Sequence, residues 1–207
     1  MLVSDHIAAK VPAQDLFSCQ QAVKHRPKSG QVRFDLARAS LAADDPAEAV
    51  EQCAKALELE PGLRDAAWLL ASLLQRYEVN ESITLSARGL RAALQFIDVD
   101  RQAICKAAIA SLKYAPPLSE IVVAGRLEGW ETVAQSALKG KGRKLLQDRL
   151  FRAALSHGIN TDIEVEFLLT ALRRALLEAP DRLRDRPVYE FACVLIQQCA
   201  NNGYVFV

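Results

Sequence analysis

The chain has 207 residues, 51% of them hydrophobic, and a net charge of +1. This length permits one or two domains with a substantial core. The near-neutral charge argues against a nucleic-acid partner, because nucleic-acid-binding domains usually carry a clear basic excess.

The first half of the sequence reads as a series of short helices. From Asp15 to Arg26 apolar residues recur at helical spacing, and Pro27 with Gly30 ends the segment. Four helices are expected after it. The first covers Gln31–Ala43, the second begins at Pro46, and the third follows Pro61-Gly62. The fourth covers about residues 81–96 and is capped by Asn80 and Ser82.

A 34-residue period runs through these helices. The pairs that recur at this offset are Cys19 and Cys53, Ala22 and Ala56, Pro27 and Pro61, Leu36 and Leu70, and Ala37 and Ala71. Such a period, with small residues where helices touch and Pro after each second helix, is typical of helix-turn-helix repeats. It fades at Gln95, which stands in the slot of the two prolines.

The periodic segment resembles a known repeat family. The run Leu36-Ala37, Ala49, Cys53, Ala56 and Pro61 is similar to the tetratricopeptide repeat, and the resemblance covers about residues 15–97. The chain departs from the family pattern at Arg33, Ser40 and Cys53, where Trp, Tyr and Phe are usual. The resemblance implies an α-solenoid of helix pairs whose first helices line a concave binding face.

The concave face implied by this resemblance predicts a peptide-binding groove. The residues expected to line it are Gln31, Phe34, Arg38, Asp65, Trp68, Ser72, Gln102 and Lys106. Phe34 and Trp68 share the 34-residue offset, and with Arg38 they would suit a peptide anchor, although packing of both aromatics between repeats is the alternative. The Asn residues with which chaperone-binding members hold a terminal carboxylate are replaced by Asp35 and Leu69.

Beyond residue 98 the pattern stays helical but loses its period. Helices are expected from Asp100 to Tyr114, at Leu118–Leu127, Glu128–Leu138 and Arg143–Ser156, after a capping box at Thr161-x-x-Glu164, and near Val188–Asn202. Pro116-Pro117, a C-capping Gly158 and a charged linker between Pro180 and Pro187 separate them. We expect an all-α fold in which tetratricopeptide-like repeats (1–97) are followed by a helical C-terminal bundle packed on them (98–207).

The second half has a resemblance of its own. The segments Thr161-Asp162-Ile163-Glu164, Leu169–Leu177, Phe191-Ala192-Cys193 and Tyr204-Val205-Phe206 are similar to a helical segment that follows tetratricopeptide repeats in some bacterial S-adenosylmethionine-dependent methyltransferases. In those proteins the catalytic domain comes afterwards. This resemblance implies a substrate-presenting or dimerising region of such an enzyme, whereas the repeats imply a non-catalytic adaptor or scaffold that binds a protein or peptide. A homodimer remains open under either hypothesis.

The sequence offers little support for catalysis within this chain. It lacks the Gly-rich strand-turn-helix pattern of a nucleotide-type pocket and the nucleophile elbow of hydrolases. His6, His25 and His157 have no Cys or carboxylate partners at metal-ligand spacing. We therefore expect this chain alone to be no enzyme and to hold neither a metal nor a cofactor.

The cysteines and the amino-terminal sequence indicate a compartment. Five cysteines, widely spaced and without a C-x-x-C pair, argue against a disulfide framework. The sequence shows neither a secretory signal nor an apolar stretch near the roughly 20 residues that cross a bilayer. A bacterial cytoplasmic protein with no membrane partner is the expectation.

A basic segment near the middle of the second half raises a further hypothesis. Residues 139–152 carry a net charge of +5, and the residues considered for anion binding are Lys139, Lys141, Arg143 and Lys144. The segment does not match a phosphate-binding loop, because no Gly lies five residues before Gly140. A solvated loop and helix face is the alternative explanation.

Overall fold

The computed structural model describes residues 16–79, 83–140 and 143–201. In these ranges the chain is α-helical and forms no strand, which confirms the all-α class. The chain divides into two compact units, Met1–Ile104 and Cys105–Val207. The division falls within a helix, whereas the sequence analysis had placed a boundary after residue 97.

The first unit consists of consecutive short helices, joined at its end by a helix that continues into the second unit. These helices are α1 (Leu16–His25), α2 (Gly30–Ala42), α3 (Pro46–Leu59), α4 (Arg64–Arg76), α5 (Ala87–Ala93) and α6 (Arg101–Lys113). Helix α1 packs on α2, α2 on α3, α3 on both α4 and α5, and α4 on α5. From α1 to α5, each helix therefore packs against its neighbour in the sequence.

Local capping explains where the first helices begin. Asp45 accepts a hydrogen bond from the Glu48 backbone N–H at 3.0 Å, and Pro46 occupies the first turn of α3, as the sequence predicts. Ser29 caps α2 by accepting from Val32, and the Gly30 N–H donates to Glu60 Oε1 at 2.6 Å. The end of α3 is thereby tied to the start of α2.

Helix α5 is shorter than predicted and begins later. Its first residue is Ala87, and Asn80 and Ser82, the predicted caps, lie outside the described residues. Ser86 is the cap: its Oγ accepts from the Gly89 N–H at 3.0 Å and donates to Glu58 Oε2 at 2.7 Å. A side chain on Gly89 would place Cβ 2.0 Å from the Ala54 carbonyl oxygen, so α5 and α3 meet backbone to backbone.

The second unit contains six complete α-helices in its described residues and a short 3₁₀ helix. These are α7 (Leu118–Glu128), α8 (Trp130–Lys139), α9 (Arg143–Gln147), α10 (Arg149–His157), α11 (Ile163–Glu178), the 3₁₀ helix Pro180–Arg184, and α12 (Arg186–Asn201). Helix α11 packs on α7, α8 and α12, while α9 and α10 pack on α12. The fully buried rings of Phe151 and Phe191 stack with centroids 6.0 Å apart between α10 and α12.

Two predictions for the helices of this unit are wrong, and aspartates explain both. The expected helix Arg143–Ser156 is divided because Asp148 accepts from the backbone N–H groups of Leu150 and Phe151, at 2.9 and 2.8 Å. Helix α11 is capped by Asp162 instead of Thr161, because the Asp162 carboxylate accepts from Glu164 and Val165 at 3.0 Å each. Aspartate caps as well as Thr does, and three-dimensional context decides between adjacent candidates.

Two further details of the second unit bear on the predictions. Gly158 is the C-cap of α10, as predicted; its backbone is extended, and its N–H donates to the Ala154 carbonyl. The segment between Pro180 and Pro187 is a 3₁₀ helix followed directly by the first turn of α12, so it is not an open linker. Among the described helices, none combines the length and apolarity required to cross a membrane.

Candidate functional site

Helix α2 presents a polar face at the predicted groove positions. The Gln31 side chain is exposed and its Nε2 donates to Asp35 Oδ1 at 3.0 Å. The Arg38 guanidinium lies 5.9 Å from the centre of the Phe34 ring. Phe34 itself is only 5% exposed, so it packs in the core, which is the alternative that the sequence left open for it. No ring contact joins Phe34 to Trp68, and the expected aromatic pair is absent between these two described residues.

Helix α4 carries three more of the predicted groove residues. Asp65 is exposed, and Trp68 and Ser72 are half-buried. Their spacing of three and four residues places them on one face of the helix. Arg64 is not among the predicted groove residues, but it belongs to the same face because it lies four residues before Trp68.

Trp68 and Arg64 meet at a single carboxylate. The Trp68 indole Nε1 donates to Asp98 Oδ2 at 3.4 Å, and the Arg64 Nη2 forms an ion pair with the same oxygen. The hydrogen bond from Arg64 is the main cause that lowers the pKa of Asp98, and partial burial acts in the opposite direction. Asp98 is therefore held in its charged form on these two donors.

The segment that carries Asp98, residues 95–100, is here called the strap; it joins α5 to α6. Its far end is fastened by Asp100, which accepts from the Gln75 amide and from the Ala103 backbone N–H, the latter at 2.9 Å. The prediction that Asp100 caps a helix is confirmed. The Arg101 side chain also donates to the Phe96 carbonyl at 3.1 Å. The loss of the 34-residue period at Gln95 was the one sequence signal that marked this segment.

The remaining predicted groove residues are divided between the two units. Gln102 is half-buried near the start of α6, in the first unit, whereas Lys106 belongs to the second. In the second unit Lys106 borders a cleft of about 160 Å³ whose other lining residues include Cys105, Ile109 and Asn160. The first unit by itself therefore contains all of the predicted groove residues except Lys106.

The structure describes three of the four residues considered for anion binding. Lys139 and Lys144 are exposed, and Lys141 lies outside the described residues. Arg143 forms an ion pair with Asp185. Helix α9, which Arg143 begins, has only five residues, so it provides a short and weak dipole for an anion.

A network of four charged side chains in the second unit was not predicted. Lys113 Nζ lies 2.6 Å from Asp162 and 2.8 Å from Glu164, and Arg126 donates to both oxygens of Glu164. The hydrogen bonds from Arg126 and then Lys113 lower the pKa of Glu164 from its usual 4.5 to about 2. The network connects the end of α6 and the end of α7 to the start of α11, and all four groups are used in that connection.

The five cysteines lie in the described part of the chain and form no disulfide there. Cys193 is exposed, the others are buried, and burial raises the pKa of the Cys53 thiol. In the described part of the chain, no three His, Cys, Asp or Glu side chains come together in a group that could hold a metal ion.

No family model matches the chain, and no curated protein and no solved structure matches it either. The two resemblances therefore rest on the residues quoted for them.

Proposed function

We propose that the protein is a non-catalytic adaptor that binds a protein or peptide segment on its first unit. The proposed surface is the outward face of α4, with Asp65, Trp68 and Ser72, together with Gln31 and Arg38 of α2. The tetratricopeptide resemblance supports this assignment, because repeats of that kind bind partners through the side chains of the first helix in each pair.

Trp68 is the observation that carries the proposal. It is the largest side chain on the outward face of α4, and it remains partly open to solvent. The neighbouring residues Ala67 and Leu69 are buried and anchor α4 in the core. The indole Nε1 donates to Asp98 Oδ2, so the polar edge of the ring has a hydrogen-bond partner in the free protein.

The residues around Trp68 suit recognition of a polypeptide. On the same helix, the Arg64 side chain is 62% exposed and Asp65 is exposed as well. Trp and Arg dominate the binding energy of many interfaces when polar groups surround them. A half-buried Trp with exposed polar side chains on the same helix therefore favours binding of a peptide or helix over chemical conversion of a small molecule.

A capture experiment with Trp68→Ala tests the proposal. The purified chain and the variant are incubated with cytoplasmic extract of the source organism, and retained proteins are identified by mass spectrometry. We expect a partner bound by the wild-type chain to be retained at least about tenfold less by Trp68→Ala, the size of a hot-spot truncation.

Two controls make the capture experiment decisive. Leu177→Ala removes a side chain that is 82% exposed in the second unit and should leave capture unchanged. Circular dichroism must show that Trp68→Ala keeps its helix content. Equal capture by Trp68→Ala and the wild type, or melting of the variant, would contradict the proposal, since Trp68 would then be either irrelevant or a core residue.

A further inference from the structure

Asp98 contacts α4 in the way that the carboxylate of a bound ligand would. One carboxylate oxygen of Asp98 receives both the Arg64 guanidinium and the Trp68 indole N–H. Arg64 and Trp68 lie one turn apart on the same helix face. A cation beside a neutral N–H donor, both directed at one oxygen, is an arrangement that recognises a carboxylate.

This carboxylate contact is at the protein surface. The side chains of Arg64 and Asp98 are 62% and 32% exposed, so solvent and other solutes reach the pair. Exposed ion pairs of this kind exchange readily with competing charges and are screened by salt. A carboxylate on a partner could therefore take the place of Asp98.

The strap is buried near its ends, and its tip, Ile97, is exposed to solvent. Leu94 and Val99, which flank the tip, are 2% and 7% exposed, whereas Ile97 is 84% exposed. Replacement of Asp98 by another carboxylate does not require the strap to unfold, because rotation of the Asp98 side chain is sufficient to free Arg64 and Trp68.

We propose that Arg64 and Trp68 form a recognition site for an acidic peptide, and that Asp98 occupies this site as an internal pseudo-ligand until the peptide arrives. This inference rests on the proposed function and names the class of its partner. The peptide would provide an Asp or Glu carboxylate to Arg64 and Trp68.

The strap itself indicates what the peptide resembles. Asp98 follows the aromatic and aliphatic residues Phe96 and Ile97. Phe96 is half-buried beside the site, and its carbonyl is held by Arg101. The partner segment is accordingly expected to place an acidic residue after apolar ones.

A synthetic peptide copied from the strap is a direct probe. The capped peptide Leu-Gln-Phe-Ile-Asp-Val, which reproduces residues 94–99, is titrated into the ¹⁵N-labelled full chain. The chain has two Trp residues, so its spectrum contains two indole N–H signals, and the Trp68→Phe variant assigns the signal of Trp68. A matched peptide with Asn in place of Asp tests the need for the carboxylate.

The pseudo-ligand predicts a gain of affinity when Asp98 is removed. Asp98→Ala should bind the acidic peptide about two- to fivefold more tightly than the wild type, which is the competition expected from one exposed ion pair. Asp98→Asn keeps the shape of the side chain and should also show a gain, so it serves if Asp98→Ala folds poorly. Glu78→Ala removes an equal charge just beyond the end of α4 and should change nothing.

Several results would overturn the inference. These are equal peptide affinity in the wild type and both Asp98 variants, equal binding of the Asp and Asn peptides, or binding that leaves the Trp68 indole signal unmoved. If Trp68→Ala loses partner capture while the Asp98 variants gain no affinity, the adaptor function stands and the pseudo-ligand fails. If Trp68→Ala captures normally, the adaptor function fails whatever the peptide does.

Discussion

The two units of the chain solve the problem of packing short helices in different ways. In the first unit the residues that are completely buried include many alanines, such as Ala37, Ala49, Ala56 and Ala66. In the second unit the completely buried residues include Phe151, Phe191 and Leu146. The first unit therefore depends on close approach of helices at small residues, and the second depends on large side chains that fill the space between them.

The units also differ in how charges connect their helices. In the second unit, ion pairs join Lys113 and Arg126 to the start of α11, and Arg152 to Glu190 of α12. In the first unit, Arg64 with Asp98 joins α4 to the strap at the proposed site. The comparison indicates that added volume should damage the first unit most, and that lost volume or low pH should damage the second.

The largest expected effect is that of Ala56→Arg in α3. Ala56 is completely buried, so the substitution forces a long charged side chain between packed helices. The combined cost of overpacking and burying a charge is comparable to the whole stability of a domain. Circular dichroism should show loss of helix, whereas Ala42→Arg, at an exposed position in α2, should leave the spectrum unchanged. If the Ala56→Arg variant stays folded, the first unit does not depend on close approach of its helices at small residues.

Removal of volume from the second unit should cost nearly as much. Phe191→Ala deletes a completely buried ring that stacks on Phe151, and we expect a loss of about 3–5 kcal/mol in the free energy of unfolding. Urea denaturation measures it. Tyr189→Ala, on the exposed side of the same helix, is the matched control. A loss below about 1 kcal/mol for Phe191→Ala would show that the cavity collapses and that volume is not what holds this unit.

A single methyl group should be enough to disturb the first unit. Gly89→Ala places Cβ 2.0 Å from the Ala54 carbonyl oxygen, and a backbone atom cannot move aside as a flexible side chain can. We expect a loss of about 1–3 kcal/mol in the free energy of unfolding. Gly62→Ala meets nothing within 4 Å and should be tolerated. Equal urea midpoints for the two variants would contradict the close contact of α3 and α5.

Acid should weaken the second unit through Glu164. The folded-state pKa of Glu164, about 2, is below the usual 4.5. The Glu164 carboxylate therefore stabilises the fold fully above about pH 4.5, and this stabilisation is lost as the pH falls toward 2. We expect about 1–2 kcal/mol, after allowing for the exposure of Arg126. Urea melts of the wild type and Glu164→Gln should differ by this amount at pH 7 and converge near pH 2. If the difference in stability between the two proteins persists at pH 2, it arises from packing of the Glu164 side chain and not from its charge.

Local signals account for the predictions that succeeded. Pro46 after Asp45, and Asp100 before α6, mark helix starts because a cap or a fixed backbone angle acts within one turn of the chain. The same local rules misplaced the start of α11, since Thr161 and Asp162 both qualify as caps. Contacts of Asp162 with Lys113 and Asn160 distinguish it. Local rules also missed Asp148, which reads as an ordinary residue of a continuous helix.

The sequence by itself determined the helical class and the starts of α3 and α6, because these depend on short-range periodicity and backbone chemistry. Tertiary structure alone decided that Phe34 is buried and that Asp98 lies on Arg64 and Trp68, 34 and 30 residues away. Contacts over such distances along the chain depend on how helices pack, and packing is a property of the whole unit.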